Sequence, residues 1–173
     1  MNEVLKNIQT RRSIRSYKPD PVPADVIEQI VTAGTYAASG MNRQSPIIVA
    51  ITDKARVEKL AKANAAVMNR DTDPFYGAPA VLVVLADKSV GTRVYDGSLV
   101  MGNLMLAAHS LGVGSRWIHR AKEVFELPEW KEWLKSIGVE GEYEGIGNCI
   151  LGYPADEVPE APERRPNRVF YVK

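Results

Sequence analysis

The sequence predicts an α+β fold in which helices with one apolar face pack against buried strands. Two runs of consecutive apolar residues, 46–52 and 80–86, are typical of strands that are buried on both faces. Between and before these runs, the stretches 24–39 and 54–68 have the pattern and length of helices. The chain contains no internal repeat and no linker, so we predict one domain over residues 1–173.

The first half of the chain alternates between helices, loops and strands. Val4, Leu5 and Ile8 recur at helical spacing and predict a short helix over residues 2–9. Three prolines in 17–23 require an extended or turned segment, and the last of them suits the start of a helix. The elements expected after it are a helix over 24–39, a loop over 39–45, a strand over 46–52, a helix over 54–68 capped by Asp53, a loop over 69–79 and a strand over 80–86.

The second half begins with a long, mostly apolar helix over 92–112, which ends at Gly112. The elements expected after it are a strand over 113–119, a helical region over 121–139 interrupted at Pro128, a strand over 146–154 and a last strand over 168–172. A proline-rich, charged arm follows Gly152, and an arm of this composition either extends freely or wraps around a partner.

The long helix carries information about assembly. It is apolar around most of its circumference, yet small residues such as Gly97, Gly102 and Ala107 keep parts of it thin. A helix that is apolar on all sides is normally buried, and in a chain of this size a second subunit can supply one of the walls. We therefore favour a homodimer, and the alternative is the central core helix of a monomer.

Composition excludes several classes of protein. The 22 basic and 21 acidic residues give a formal charge of +1, which argues against a nucleic-acid or membrane-surface binder. The N-terminus has no apolar core of a signal peptide, and no apolar run of 18 residues exists, so we expect a cytoplasmic protein without a membrane span. The single cysteine, Cys149, lies in an apolar run and is expected to be buried and inert.

The segment "RRSIRSY", residues 11–17, concentrates positive charge near the N-terminus. If it is helical, Arg11 and Arg15 share a face and Ser13 points elsewhere. If it is extended, Arg11, Ser13 and Arg15 line one side, and Arg12 lies on the other. The extended form creates a strip of guanidinium and hydroxyl groups that suits a phosphate or a polar ring edge. The alternative is a solvated basic surface.

Other familiar sites are not indicated by the sequence. The glycine pairs of 112–114 and 145–147 lack the third glycine of a dinucleotide fingerprint, and they lead into strands. His109 and His119 have no partner at metal-ligand spacing, so we predict no metal site and a structural role for both.

Motifs distributed along nearly the whole chain resemble the nitroreductase-like family of FMN-dependent NAD(P)H oxidoreductases. They are "RRSIRSYKPDPVP", "AASGMNRQSP", "YGAPAVLVVLAD", "DGSLVMGNLMLAAHSLGVGSRWI", "ILGYP" and "ERRPNRV", in this order. The resemblance implies a three-layer α-β-α fold with a mixed, mostly antiparallel central sheet flanked by helices. It also implies bound FMN and a homodimer that shares its two FMN sites, with the arm 153–173 wrapping around the partner subunit.

The resemblance also implies roles for individual residues. Arg11, Arg12 and Ser13 match the positions that hold the FMN phosphate, and Arg15 matches a basic position near N1 and O2 of the flavin. The other matched positions are a loop from the neighbouring subunit (Ser39, Gly40, Met41, Asn42, Gln44), a segment along the isoalloxazine (Ser115, Arg116, Trp117), basic residues at the phosphate (Arg164, Arg165) and one polar residue among Asn69, Arg70 and Asp71.

The chain also departs from the family pattern. The family often reads Q-P-W after the asparagine, whereas this chain has "QSP", so the tryptophan is missing. The insertion that often covers the active site is short in this chain. Trp130, Trp133 and Leu134 lie at helical spacing and belong to the core or to a lid over the flavin.

The activity implied is reduction of a small acceptor, such as a nitroaromatic or a quinone, by NADH or NADPH in a ping-pong cycle. No protein residue is expected to act as the catalytic group, because flavin N5 carries the hydride. One alternative is a non-catalytic flavin-binding or sensor protein of the same fold. Another is an anion-binding or nucleic-acid module, which the near-zero net charge disfavours.

Overall fold

The structure is a computed structural model that describes residues 1–173 and contains six α-helices and four β-strands. The helices are α1 (Glu3–Thr10), α2 (Ala24–Thr35), α3 (Lys54–Val67), α4 (Arg93–Ser110), α5 (Ala121–Phe125) and α6 (Pro128–Ser136). The strands are β1 (Pro46–Ile51), β2 (Ala80–Asp87), β3 (Gly114–Ile118) and β4 (Tyr143–Gly152).

The four strands form one sheet in the order β1-β2-β4-β3, and all three strand pairs are antiparallel. The register places Ile48 opposite Val84 and Arg116 opposite Ile150. A single parallel bridge, between Ser13 and Ser115, lies outside the named strands. The expectation of a mostly antiparallel sheet is therefore confirmed, and β1 and β3 are its two edges.

Helices cover both faces of the sheet, which gives the expected three layers. One core contains residues of α3, α5 and α6 together with Val83 and Ile150 of the sheet; we call this the α3 side. The other core contains residues of α2 and α4 together with Leu82 and Cys149; we call this the α4 side. Alternate residues of each strand enter alternate cores, because successive side chains of a strand point to opposite faces.

Local sequence explains where several helices begin. The Asp53 side chain accepts a hydrogen bond of 2.8 Å from the backbone N–H of Arg56, which confirms the predicted cap of α3. Asn2 caps α1 in the same way, because its side-chain Oδ1 accepts a hydrogen bond from the backbone N–H of Leu5. Pro128 occupies the first turn of α6, where its missing N–H has no cost, and therefore separates α5 from α6.

Two expectations about elements are wrong. The second helix ends at Thr35 and not at residue 39, because residues 36–39 leave the helix toward a 3₁₀ turn at Gly40–Asn42. Residues 168–172 form no strand within the chain, and their side chains are exposed. No helix of the structure is both long enough and apolar enough to cross a membrane.

The tryptophans of α6 belong to the core. Trp130 and Leu134 are buried on the α3 side, and Trp133 packs against the same core. The alternative of a lid over the flavin is therefore wrong for this segment. The rings of Phe125, Trp130 and Trp133 contact one another, with centroids 5.4–5.5 Å apart.

Candidate functional site

The segment 11–17 is extended and runs beside the edge strand β3. Helix α1 ends at Thr10, and the backbone N–H of Ile14 donates to the carbonyl of Ser115 over 3.1 Å. Farther along, the N–H of Lys18 donates to the carbonyl of Tyr153 over 2.8 Å. The extended alternative is therefore correct, and the helical alternative is wrong.

Strand alternation assigns Arg11, Ser13 and Ser115 to the α4 side. Ser13 forms a parallel bridge with Ser115, so the two side chains lie on the same side of the sheet. Ser115 is paired with Leu151, which belongs to the core of the α4 side. The charge of Arg11 lowers the otherwise raised pKa of Cys149, which agrees with a position near this core. We call Arg11, Ser13, Arg15 and Ser115 the polar strip.

Arg116 faces the opposite side of the sheet. It is paired with Ile150 of the α3-side core, and its guanidinium carbon lies 5.1 Å from the centroid of the Tyr76 ring. The structure therefore brings Ser115 and Trp117 to the α4 side and separates Arg116 from them. Burial raises the pKa of the neighbouring Tyr17, whose hydroxyl donates to the carbonyl of Ile14 over 3.1 Å.

Several buried donors at this edge have no hydrogen-bond partner. They are Nη1 of Arg11, Oγ of Ser115, Nε and Nη1 of Arg116, and Nε1 of Trp117. Arg11 and Arg116 also have no carboxylate within 4.0 Å, since neither takes part in an ion pair. Leaving a buried donor without an acceptor costs about 1–3 kcal/mol. Arg116 faces the α3 side, so the donors that share the α4 side are those of Arg11, Ser115 and Trp117, and these three fit an anionic ligand with acceptor oxygens.

The guanidinium of Arg12 donates hydrogen bonds to backbone carbonyls. Its Nη1 donates to the carbonyls of Gln9 and Arg11 over 2.8 and 2.7 Å, so it caps the C-terminal end of α1. Its Nε is buried and has no partner. Arg15 is exposed on the far end of the polar strip.

The loop 39–44 is ordered by contacts with the start of α4. The N–H of Gly40 donates to Oδ1 of Asp96 over 2.9 Å, and the hydroxyl of Thr92 donates to the other oxygen of the same carboxylate. A side chain at Gly40 would lie 2.5 Å from Oγ1 of Thr92, so the close approach requires glycine. Sequence reasoning missed Asp96, although a lone carboxylate in an apolar helix was a signal.

Within this loop, polar side chains hydrogen-bond one another. The N–H of Gln44 donates to Oγ of Ser39, and its side-chain amide donates to Oδ1 of Asn42. Met41 is exposed. The loop leads directly into β1, whereas the polar strip runs along β3. The structure therefore places these two groups of predicted site residues at opposite edges of the sheet and does not bring them together within one chain.

The C-terminal arm begins beside the polar strip, where the N–H of Ala155 donates to the carbonyl of Ser16 over 3.1 Å. Arg164 and Arg165 lie farther along it and are exposed. The guanidinium of Arg164 donates only to the carbonyl of Pro162. These two arginines are therefore not brought to the strip within one chain.

Two buried asparagines hold the end of β3. The side-chain amides of Asn64 and Asn148 donate to the carbonyl of His119 over 2.8 and 3.4 Å, and neither Oδ1 has a partner. The next residue, Arg120, has a positive φ of 78°. Sequence reasoning missed both asparagines, although Asn148 interrupts an apolar run. The stretch 69–71 follows α3 and is exposed.

Fold and site together define an α+β protein with buried, unpartnered hydrogen-bond donors beside one edge strand of its sheet. A profile of the nitroreductase family matches residues 8–81. A protein of Archaeoglobus fulgidus, provisionally named NADH dehydrogenase/NAD(P)H nitroreductase, is 32% identical over 182 residues and aligns with 100% of this chain and 99% of its own. The FMN reductase [NAD(P)H] of Bacillus subtilis is 28% identical, over 94% of this chain and 70% of its own.

Solved structures of nitroreductases have the same fold as this chain. The crystal structure of a nitroreductase with bound FMN from Bacteroides fragilis superposes with a TM-score of 0.90, at 28% identity and over 100% of both chains. The chain belongs to the nitroreductase family.

Proposed function

We propose that the protein is an FMN-dependent oxidoreductase that uses NADH or NADPH to reduce a small acceptor, such as a nitroaromatic or a quinone, in a ping-pong cycle. The observation that carries the proposal is that the buried donors of Arg11, Ser115 and Trp117, on the α4 side beside β3, have no acceptors, which fits a phosphorylated, oxygen-rich ligand. The bound FMN of the similar Bacteroides fragilis protein and the FMN reductase relative support the same cofactor.

In this proposal the polar strip binds the cofactor from its phosphate to its ring. Arg11 and Ser13 hold the phosphate, and Arg15 lies near N1 and O2 of the ring. When bound, the flavin accepts a hydride at N5 and passes it to the acceptor. Arg15 contributes a positive charge where negative charge develops on reduction, and this interaction stabilises the reduced state. Trp117 and Ser115 form the adjoining wall on the α4 side.

We further propose a homodimer in which each site draws residues from both chains. The loop 39–44 and the polar strip occupy opposite edges of one sheet, so a second copy is needed to bring them together. Apolar side chains exposed on α1 and α4 are available for the contact; they are Val4, Leu5, Ile8, Tyr95 and Leu99. The arm 153–173, with Arg164 and Arg165, wraps around the partner subunit.

We place this single domain in the cytoplasm, where a free thiol such as Cys149 persists. The proposed function is tested by the absorbance spectrum of the purified protein. Anaerobic NADPH or NADH should bleach the flavin band, and a quinone or nitroaromatic should restore it. A flavin band that neither nucleotide bleaches would favour the alternative, a flavin-binding or sensor protein. Protein purified without FMN that does not bind added FMN would contradict both.

A further inference from the structure

Helix α1 is attached to α4 by hydrogen bonds between side chains and backbone or other side chains. None of the residues of α1 is buried, and its apolar side chains stay exposed. The side-chain amide of Asn7 donates to the carbonyl of Leu106 over 2.9 Å. One turn farther along both helices, a hydrogen bond of 2.8 Å joins Oγ1 of Thr10 to Nε2 of His109. These two bonds set the position of α1 on α4.

The direction of the bond between Thr10 and His109 follows from the hydroxyl of Thr10. This hydroxyl donates to the carbonyl of Lys6 over 2.8 Å, and it has a single hydrogen to donate. Oγ1 therefore accepts from His109, whose Nε2 carries the hydrogen. Burial, and then the charges of Arg11 and Arg12, lower the pKa of His109, so its imidazole is neutral at pH 7. The imidazole contributes a donor at this place and no charge.

Arg11 lies between this contact and the edge strand β3. It follows Thr10 directly, and its backbone N–H donates to the carbonyl of Asn7 over 3.1 Å. Two residues farther along, Ser13 forms its bridge with Ser115. Because an extended residue spans only about 3.3 Å, two fixed neighbours leave the backbone of Arg11 little freedom. The end of α1 and β3 together therefore fix the point from which the guanidinium of Arg11 extends.

We propose that His109 is a positioning residue for the cofactor phosphate: through Thr10 it holds the end of α1 on α4 and thereby keeps Arg11 in the polar strip. The inference rests on the proposed function, in which Arg11 binds that phosphate. A site whose groups are already ordered loses less free energy when its ligand binds. His109 therefore acts on affinity through Arg11 and takes no part in the chemistry.

Binding of two flavins to the apoprotein tests this role. FMN carries the phosphate and riboflavin lacks it, so a defect of the phosphate site weakens the binding of FMN alone. His109→Leu and Thr10→Val should each weaken FMN binding about three- to tenfold, the net effect of one hydrogen bond, and should change riboflavin affinity less than about twofold. Fluorescence titration measures both affinities. Equal losses for the two flavins, or no loss for FMN, would overturn the proposal.

Two further variants test whether the hydrogen bond itself is responsible. Thr10→Ser keeps the hydroxyl and should retain the FMN affinity of the wild type. Ser136→Ala is the matched control, because the hydroxyl of Ser136 also ends a helix and donates within it, to the carbonyl of Trp133 over 2.6 Å, but makes no hydrogen bond to another element. Thermal unfolding checks that each variant folds. A Thr10→Ser protein that binds FMN as weakly as Thr10→Val would contradict a role for this bond.

Combined substitutions identify the residues through which His109 acts. Thr10→Val and His109→Leu remove the same bond, so the double variant should bind FMN no more weakly than either single variant. Adding His109→Leu to Arg11→Ala should likewise cause little further loss, since the imidazole then has no Arg11 side chain to position. Additive losses in either pair would show that His109 acts by another route and would overturn the proposal.

Measurements on the wild type separate failure of this inference from failure of the proposed function. Wild-type apoprotein that binds neither flavin would contradict both. Wild-type protein that binds FMN and is bleached by NADPH or NADH, together with a His109→Leu protein of unchanged FMN affinity, would contradict the positioning role alone. Flavin-saturated His109→Leu should be bleached at the wild-type rate, because the phosphate does not change during the reaction.

Discussion

The polar strip shows what single residues of the sequence could and could not reveal. Its period-two spacing, Arg11–Ser13–Arg15, was visible in the sequence once the segment was taken as extended. The opposite orientation of Arg116 was missed, although it follows from the same alternation between Ser115 and Trp117. Asp96 was missed because its role depends on a loop 56 residues away in the chain.

Arg11 offers a test of the phosphate assignment. Arg11→Ala should weaken FMN binding by about 1.5–3 kcal/mol, the scale of a hydrogen bond to a charged group, which is more than tenfold. Turnover of the flavin-saturated enzyme should stay nearly intact, because the phosphate does not change charge during the reaction. Fluorescence titration of the apoprotein with FMN measures the affinity, and Lys135→Ala, an exposed charge on α6, is the control.

Arg15 should fail in a different way. Arg15→Ala removes the positive charge that we propose lies at the ring edge, and it should disfavour the reduced flavin more than the oxidised flavin. The midpoint potential should fall, and flavin reduction by NADPH should slow even at saturating FMN. A dye-coupled redox titration and stopped-flow absorbance measure the two effects. If Arg11→Ala and Arg15→Ala lose FMN affinity equally and neither changes the potential, the assignment of the strip is wrong.

At the scale of secondary-structure elements, helix starts were predicted correctly where a local capping or proline signal marks them. Boundaries that depend on tertiary contacts were not. Asp53 and Pro128 marked the starts of α3 and α6 correctly, because capping and proline effects act within one turn. The end of α2 was misplaced, since residues 36–39 have no strong breaker and Asp96 draws Gly40 toward α4. The junction of β3 and α5 was also unpredictable, because buried asparagines fix it from two distant elements.

Arg120, at this junction, has a left-handed φ of 78°. A non-glycine residue in this region is strained by about 1–2 kcal/mol. Replacement by glycine removes this strain, but it also raises the conformational entropy of the unfolded chain, which offsets part of the gain in stability. Arg120→Gly should therefore raise the free energy of unfolding by up to about 1 kcal/mol in urea denaturation. Arg120→Ala removes the same ion pair with Glu123 but keeps the strain. A glycine variant no more stable than the alanine variant would contradict this account.

Glu144 links three elements and predicts a dependence of stability on pH. Its carboxylate accepts from Arg93 of α4 over 2.8 Å and from Lys122 of α5 over 3.1 Å. The hydrogen bond from Arg93, and then that from Lys122, hold its pKa below the ordinary 4.5. The stabilisation by these two contacts is fully present at pH values above the pKa of Glu144 in the unfolded protein. It is lost as the pH falls through the lower pKa that Glu144 has in the folded protein.

Replacing Glu144 removes this dependence. Glu144→Gln should lower stability at pH 7 and give a shallower loss of stability below pH 4.5. Urea denaturation at a series of pH values measures both effects. Glu140→Gln, an exposed carboxylate without an ion pair, serves as the control and should follow the wild-type curve. An unchanged acid slope for Glu144→Gln would exclude this carboxylate as the cause.

At the scale of the whole molecule, the three layers could be predicted from the sequence, but the apolar surfaces that stay exposed on the single chain could not. The long helix was expected to have one wall supplied by a second subunit, and within the single chain Tyr95 and Leu99 expose 74% and 52% of their surface. Apolar patterning alone does not tell whether a face packs within the chain or against another copy. The family resemblance correctly identified the three-layer fold, because its motifs span nearly the whole chain.

The exposed face of α4 provides a test of the dimer. Leu99→Glu places a charge in the proposed interface and should convert the dimer into a monomer at low micromolar concentration, with loss of FMN from the divided site. Sedimentation equilibrium and the flavin absorbance measure the two effects. Leu127→Glu, on a partly exposed residue before α6, is the matched control. A monomeric Leu99→Glu protein that still holds FMN would contradict a shared site.

The separation of the polar strip and the loop 39–44 on opposite sheet edges has a genetic consequence. In the proposed homodimer, where each site draws one group from each copy, damage to either group in every copy leaves no complete site. In a cell that makes both damaged forms, random pairing gives about half mixed pairs, each with one site built wholly from undamaged parts. Two alleles that are each inactive alone should therefore complement one another in trans and restore about a quarter of the sites.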